Sequence, residues 1–440
     1  QKTFDFLQYK VIKSIHRVAK SVSPDGLTLF IFAQIKFRRC YMKEKNVKLW
    51  SKNFIIIIIV NFLVFLNHLM ILSTFPFFIS YLGYSDSISG LCVTLFCVVS
   101  VICRPFVGWM LDNGKRKLIL LIGIIGMALM PMGYLLVYTA LSSIALAVIF
   151  RMIHGFALAF SNTSTSTIAS DIIPKERFSE GMGMFGMATA LATACAPAIG
   201  EKLMNKSFTT LFTTSTGCMV LCLFLYAFLS LPKLNIARKP FNIKHLIDKD
   251  ALPASCVVLI FLLTYGALEN YTLKFAVQSD KITISGGAYF TVMAIALLLT
   301  RVFIGKQADK KGESIFVYIC NIFMFAALLL LAFIPNNITF IISSVLSGFA
   351  FGGIEPSLQA MAVNIAPPER RGAANSTFLC AYDIGIGIGG GIAGVLIDCV
   401  GYNHMFAIIS VANVISIIIY AAWGSRHPSS MTYRIKNGLN

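Results

Sequence analysis

The chain alternates apolar runs of about twenty residues with short polar turns, and this leaves few folds open. A helix of about 20 apolar residues spans the ~30 Å hydrocarbon layer of a bilayer. Twelve such runs can be counted, at roughly 53–82, 89–111, 118–139, 142–173, 178–204, 208–231, 252–278, 285–308, 314–334, 338–366, 371–398 and 403–424. Backbone polar groups in hydrocarbon must be paired within the protein, so each run is expected to be a helix. A membrane β-barrel would need alternating segments of about 10 residues, which are absent. Of the 440 residues 57% are hydrophobic and only 13% charged. That is about half the charged share of a soluble domain, which excludes an ordinary soluble enzyme.

One stretch returns. Arg104-Pro105-Phe106-Val107-Gly108-Trp109-Met110-Leu111-Asp112-Asn113-Gly114 closes the second run, ahead of Lys115-Arg116-Lys117. Residues Arg301 to Gly312 repeat it 197 positions later, with Arg, Phe, Gly and Asp in register. In each copy Gly and Asp lie four residues apart, on one helix face. Gly155-Phe156-Ala157 returns as Gly348-Phe349-Ala350, Pro174 with Glu176-Arg177 as Pro367 with Glu369-Arg370, and Phe185 as Phe378, all 193 residues apart. The expected organisation is an N-terminal cytoplasmic segment 1–52, a six-helix half 53–231, a cytoplasmic linker 232–251, a second six-helix half 252–424 and a cytoplasmic tail 425–440. Two halves of the same orientation need an axis along the membrane normal, which places a substrate path between them near the midplane.

The net charge of +18 does not point to nucleic acid. The basic residues sit in short clusters between runs, not along a stripe, and no groove-reading motif is present. Their clusters fall on one side of the runs: Lys115–Lys117, Lys175 and Arg177, Lys233 to Lys249, Lys306 to Lys311, Arg370 and Arg371, and Arg426 to Lys436. The other side has Lys202, Lys206, Lys274 and Lys281. Basic loops stay cytoplasmic, so both termini are expected inside a bacterial cell membrane. Residues 1–41 hold eight of the Lys and Arg residues and lie ahead of Met42, a natural start. AGG codons at Arg38-Arg39 would form a ribosome-binding site, so 1–41 is expected to be upstream sequence; CGN codons would remove that support. No cleavable signal peptide is evident. Eleven scattered cysteines without a CxxC suit packing better than metal.

At these residues the chain resembles the major facilitator superfamily, over nearly everything after residue 52. Gly108-x-x-x-Asp112 with Gly114 resembles that family's loop 2–3 motif, one residue short between Asp112 and Gly114; Gly305-x-x-x-Asp309 with Gly312 has the full spacing. Arg151-x-x-His154-Gly155 resembles the span 4 motif of the twelve-span drug:proton antiporters, with His where Gln is usual. Ala192-x-x-x-Ala196-Pro197-x-x-Gly200 resembles their span 5 motif, although the leading glycines are Ala and the closing one is Glu201. The resemblance implies an all-α fold of twelve transmembrane helices in two pseudo-symmetric halves. It implies a conformational gate in which Asp112 meets the N-terminus of span 11 and Asp309 that of span 5, as a carboxylate at a positive helix end. Arg104, Gly108, Arg301 and Gly305 belong to the same gate, and Arg151 is implied to tune proton transfer.

Ionisable groups inside spans are costly and mark function. Asp383, Glu355 and Glu269 are therefore expected to carry coupled protons, Asp383 foremost, because its neighbouring glycines allow close packing around the charge. Arg151 and His154 share a face of span 4, and histidine changes charge near neutral pH. The substrate cavity is expected at Asn67, His68, Asn162 and Pro197; Asn67 and His68 are adjacent, so only one can face it squarely. There is no Walker loop, zinc set or nucleophile constellation, so no cofactor, metal or enzymatic activity is expected and an ion gradient must drive transport. The expected function is proton-coupled export of small organic compounds by alternating access, as a monomer in the bilayer. A sugar, organic-acid or nucleoside uptake symporter and a non-transporting receptor or scaffold are the alternatives.

Overall fold

The computed structural model describes residues 48–174, 177–231, 247–366 and 371–438. Contacts divide the chain into two compact units. The smaller holds Gln1–Ser51 with Ile173–Gly181, and within it Arg177 pairs with Glu180 at 2.6 Å. The larger holds Lys52–Ile172 with Met182–Asn440, and all that follows concerns it.

The described residues form helices α1 (Lys52–Tyr81), α2 (Asp86–Asp112), α3 (Arg116–Leu136), α4 (Ile144–Ile172), α5 (Phe178–Met204), α6 (Phe208–Ala227), α7 (Leu252–Gln278), α8 (Gly286–Lys311), α9 (Ser314–Phe333) and α10 (Asn337–Asn364). A last continuous helix follows, Arg371–Ala422, and then a short one, Met431–Lys436. Among the described residues ten helices are long and apolar enough to cross a membrane, and Gly286–Arg301 is a shorter apolar one. The tenth, Ala374–Arg426, has 53 residues. Straight, it would be about 80 Å long, far more than a bilayer needs. Gly401 breaks it, with φ 78° and ψ 169°. The limbs 371–400 (α11) and 402–422 (α12) both lie on α7. Gly385 and Gly389 approach the carbonyls of Leu259 and Leu263. Asn413 and Ser416 meet Thr264 and the Val257 carbonyl. The expected twelve-helix fold is present, with boundaries shifted by up to four residues.

Local chemistry sets several ends. Gly114 and Gly312, the closing glycines of the repeat, are both left-handed, with φ 84° and 79°. A glycine adopts this without a Cβ clash, and the turn lets the Gly114 N–H reach the Leu111 carbonyl at 2.9 Å. Ser207 caps α6 by accepting from the Thr210 N–H, and Asn336 caps α10 by accepting from Ile338 and Thr339.

Residues 66–76 of α1 and 264–276 of α7 are buried without interruption. A helix covered on every face belongs at the centre of a bundle. The outer helices instead expose large apolar side chains, such as Ile102, Phe224 and Ile338, which a bilayer would cover.

Candidate functional site

A cavity of about 1140 Å³ runs between the first six helices and the last six. Its walls come from α1, α2, α4 and α5 on one side and α7, α8, α10 and α11 on the other. It reaches from His68, Phe96 and Tyr265 to Trp109, Ile247 and Ser376 at the end that carries Lys115–Lys117. Ile247 is 65% exposed there, so the cavity opens at this basic end. The polar run of α4 supplies Asn162, Thr163, Ser166 and Thr167 to the wall. Such hydroxyls survive in a bilayer helix by bonding backward, as Thr167 does to the Thr163 carbonyl at 2.8 Å.

Among the described residues, five charged side chains line the cavity: Arg104, Glu269, Arg301, Glu355 and Asp383. Arg104 of α2 holds Asp383 of α11 at 2.5 Å, an ion pair that joins the two sets of helices. Arg301 of α8 holds Glu355 of α10 at 2.5 Å, within one set. Glu269 has no cation among the described residues; the Tyr265 hydroxyl donates to it from 3.5 Å. The Tyr265 ring lies flat on Phe351, with centroids 4.1 Å apart.

A second polar cluster stands behind the wall made by α1 and α2. The Arg151 guanidinium is fully buried, 4.6 Å from the centroid of Phe75 and 4.4 Å from that of Phe96. It has no carboxylate partner among the described residues, and ring faces stabilise it instead. His154 Nδ1 meets the Tyr134 hydroxyl at 3.2 Å. His68 stacks on Phe96 with centroids 5.2 Å apart and is the member of this cluster that reaches the cavity. Arg151 and His154 share a face, but that face turns inward to the first six helices.

The end opposite the basic loops is closed. Lys274 of α7 holds Asp86 of α2 at 2.5 Å and Ser80 of α1 at 2.6 Å. The Tyr402 hydroxyl donates to Asp86 at 2.8 Å. Asp398 of α11 accepts from the N–H groups of Asp86 and Ser87, at 3.1 and 2.8 Å, and so caps α2. Glu201 of α5 does the same for α8, accepting from the Gly287 N–H at 2.8 Å and from the Ser285 hydroxyl. A carboxylate at a helix N-terminus meets both unpaired donors and the positive end of the dipole. Each set of six helices thus caps a helix of the other.

Sequence reasoning missed this closure. Glu201 registered only as a departure from a glycine motif, and Asp398 not at all. The signal was present, since they lie 197 residues apart, as Arg104 and Arg301 do. Relative to the 193-residue spacing of Phe185 and Phe378 this adds four residues, one helical turn, which keeps both carboxylates on one face.

Among the residues expected in the cavity, His68 and Asn162 line it, as does Gly108 of the expected gate. Asn67 does not: its amide donates to the Ser215 carbonyl at 2.9 Å and to the Ser215 hydroxyl at 2.7 Å, tying α1 to α6. The 100° step between neighbours on a helix sends it away from the face His68 uses. Pro197 is buried in α5 outside the lining. The side chains of Asp112, Gly305 and Asp309, expected in the gate, lie outside the described residues, as do residues 1–41 and most of the linker. Asn67→Ala should therefore lower the melting temperature, through loss of buried hydrogen bonds of about 1–2 kcal/mol, and leave the substrate KM unchanged; a shifted KM would put Asn67 back in the site.

The profile of the Major Facilitator Superfamily matches residues 57–279 and again 254–436. The staphylopine export protein of Staphylococcus aureus is 21% identical over 357 residues, 77% of this chain and 87% of that one. Multidrug resistance protein 2 of Bacillus subtilis is 22% identical over 394 residues, 83% of this chain and 94% of that one. The crystal structure of the human organic anion transporter MFSD10 superposes with a TM-score of 0.62 at 17% identity, covering 84% of this chain and 98% of that one. A cavity framed by two sets of six apolar helices, in a chain that the same profile matches in both sets, makes this a multi-pass membrane transporter and not an enzyme, and the chain belongs to the Major Facilitator Superfamily.

Proposed function

We propose that this transporter exports small organic compounds across a bacterial cell membrane in exchange for protons. The ion pair between Arg104 and Asp383 carries the reading. It joins α2 to α11 in the cavity wall, and a proton on Asp383 would remove the charge that holds it. Protonation is thereby tied to the relative position of the two sets of helices, which is what coupling requires.

The basic end is cytoplasmic on this reading, because basic loops are retained inside. The cavity then faces the cytoplasm, the loading state of an exporter, while Lys274, Asp86, Asp398 and Glu201 close the outside. Opening the outside breaks those contacts; closing the inside falls to the gate around Gly108 and Gly305, with Asp112 and Asp309. Arg151 and His154 act from behind the wall, through His68. Glu355, held by Arg301, is the second candidate for a coupled proton. The two efflux proteins among the relatives support export over uptake.

The test uses everted vesicles energised to acidify the lumen and loaded with a pH dye. Adding lipophilic cations, antibiotics and small metabolites one at a time should produce alkalinisation with at least one compound. Silence with every compound, from folded protein, would sink proton-driven export.

A further inference from the structure

We propose that the cavity wall made by α1, α2 and α4 seats an acidic group of the substrate, and that the substrate class is organic carboxylic acids. The inference rests on the transport reading above and adds what is transported.

That wall carries polar groups with nothing to hold. A serine or threonine inside a helix ordinarily donates to a carbonyl one turn back, as Ser161, Ser164 and Thr167 of α4 do. Ser100 of α2 and Thr163 of α4 make no such bond; both hydroxyl oxygens are buried without a partner among the described residues. Nδ1 of His68, on α1, is in the same position. His68 is 8% exposed and Ser100 2%. The three residues come from three helices, and all line the cavity. A buried polar group left unpaired costs free energy, so three of them on one wall point to a ligand that pairs them.

The sign of that ligand's charge is set from behind the wall. Arg151 is fully buried, and none of its three guanidinium nitrogens has a hydrogen-bond partner among the described residues. Its charge lies 4.4 Å from the centroid of Phe96. Phe96 lines the cavity, and His68 stacks on it at 5.2 Å between centroids. One ring thus touches both the buried charge and the imidazole of the wall. Attraction between unit charges over about 10 Å in a partly dry site is worth about tenfold in affinity. The opposite wall turns an acidic group away. Arginines already hold Asp383 and Glu355 there, and Glu269 has no cation among the described residues. Beside Glu269 the rings of Tyr265, Phe351 and Tyr382 offer a surface for the carbon body instead. The acidic end therefore lies on α1, α2 and α4, and the body reaches toward α7, α10 and α11. An inorganic anion would use the donors but little of the roughly 1140 Å³ cavity.

The test measures equilibrium binding to the purified full-length protein in detergent, independently of any gradient. The probes are dansylglycine, a fluorescent carboxylate, and dansylglycinamide, its uncharged relative of the same body. Dansylglycine should bind at least about tenfold more tightly. Loss of one charge-assisted bond should raise its Kd at least about tenfold in Ser100→Ala and in Thr163→Val. Arg151→Met should raise it about tenfold, and Arg151→Lys, which keeps the charge, should recover most of that loss. Dansylglycinamide should bind wild type and every variant alike, which also shows that the variants are folded. Equal affinity for both probes, an unchanged dansylglycine Kd in Ser100→Ala and Thr163→Val, an equal loss of both probes, or no dansylglycine binding by wild type overturns the proposal. The outcomes separate the two readings. Gradient-driven export of cationic or neutral compounds alone, with no binding of the acid, overturns this inference and leaves export standing. Ser100-dependent binding of the acid without any driven flux overturns export and supports this site.

Discussion

Asp383→Asn is expected to abolish substrate-driven proton movement in everted vesicles while leaving a folded protein. Asn is nearly isosteric with Asp, so the packing of α11 against α7 and α2 should survive. It cannot carry a titrating proton, and it offers Arg104 an amide in place of a charge. Arg104 is a short-range partner at 2.5 Å, and both side chains are largely covered, at 12% and 14% exposure. A hydrogen bond to a charged group is worth about 1.5–3 kcal/mol. Losing it from the inward-open arrangement should shift the population toward the opposite state by about ten- to 150-fold. Two readouts are therefore predicted. Proton flux falls to that of vesicles without the protein, and limited proteolysis of the cytoplasmic face slows as the cavity closes there. Arg104→Ala should match the second readout, since it breaks the same pair, and keep the titrating group. If Asp383→Asn retains alkalinisation, coupling does not pass through this pair, and Glu355 with Arg301 becomes the site to test.

The pairing itself could not be read from the sequence, although its members could. Charge in an apolar run singles out Glu269, Glu355 and Asp383 without any structure, because a bilayer penalises each of them, and the repeat marks Arg104 and Arg301. The repeat gives the helix order, and its closing glycines adopt the same left-handed turn in both copies. Which Arg meets which carboxylate depends on the rotation of each helix about its axis, and a low-contrast apolar pattern does not fix that rotation. Helix α7 is the extreme case: it is buried on every side, so its sequence has no polar face to show that Glu269 and Tyr265 look into the cavity. The α4 motif misled in a related way. Arg151 and His154 do share a face, but spacing alone cannot say that the face turns to Phe75 and Tyr134 instead of the substrate path. The break at Gly401 was legible by contrast: the apolar runs 371–398 and 403–424 leave a gap there, and its φ of 78° ends one limb and begins the next.

Gly90→Ala and Gly287→Ala should each pry open the end of the bundle that is closed here. A Cβ at Gly90 would stand 2.8 Å from the Gly390 carbonyl oxygen, and one at Gly287 would stand 2.3 Å from the Ala198 Cα. Both obstacles are backbone atoms of the other set of six helices, so no side chain can rotate away. Gly90 lies one turn beyond the α2 end that Asp398 caps, and Gly287 is itself the amide that Glu201 binds. Overpacking costs about 1–3 kcal/mol, and only the closed arrangement bears it, because opening separates the sets. The balance should move toward the outward-open state by about five- to 150-fold per substitution. Lys274→Ala should act in the same direction, since it strands Asp86 without its ion pair at 2.5 Å. Hydrogen exchange reads the effect at the site. The Ser87 and Gly287 amides are held by carboxylates at 2.8 Å only while the end is closed, so their exchange should quicken by the same factor. Amides in the middle of α9 and α10 should exchange as before, which distinguishes opening from unfolding. Because fewer molecules then present the cavity to the cytoplasm, the apparent Kd for substrate from that side rises once the outward-open state holds a sizeable share of the molecules. Unchanged exchange at Ser87 and Gly287 in all three variants would mean that this end does not open during transport.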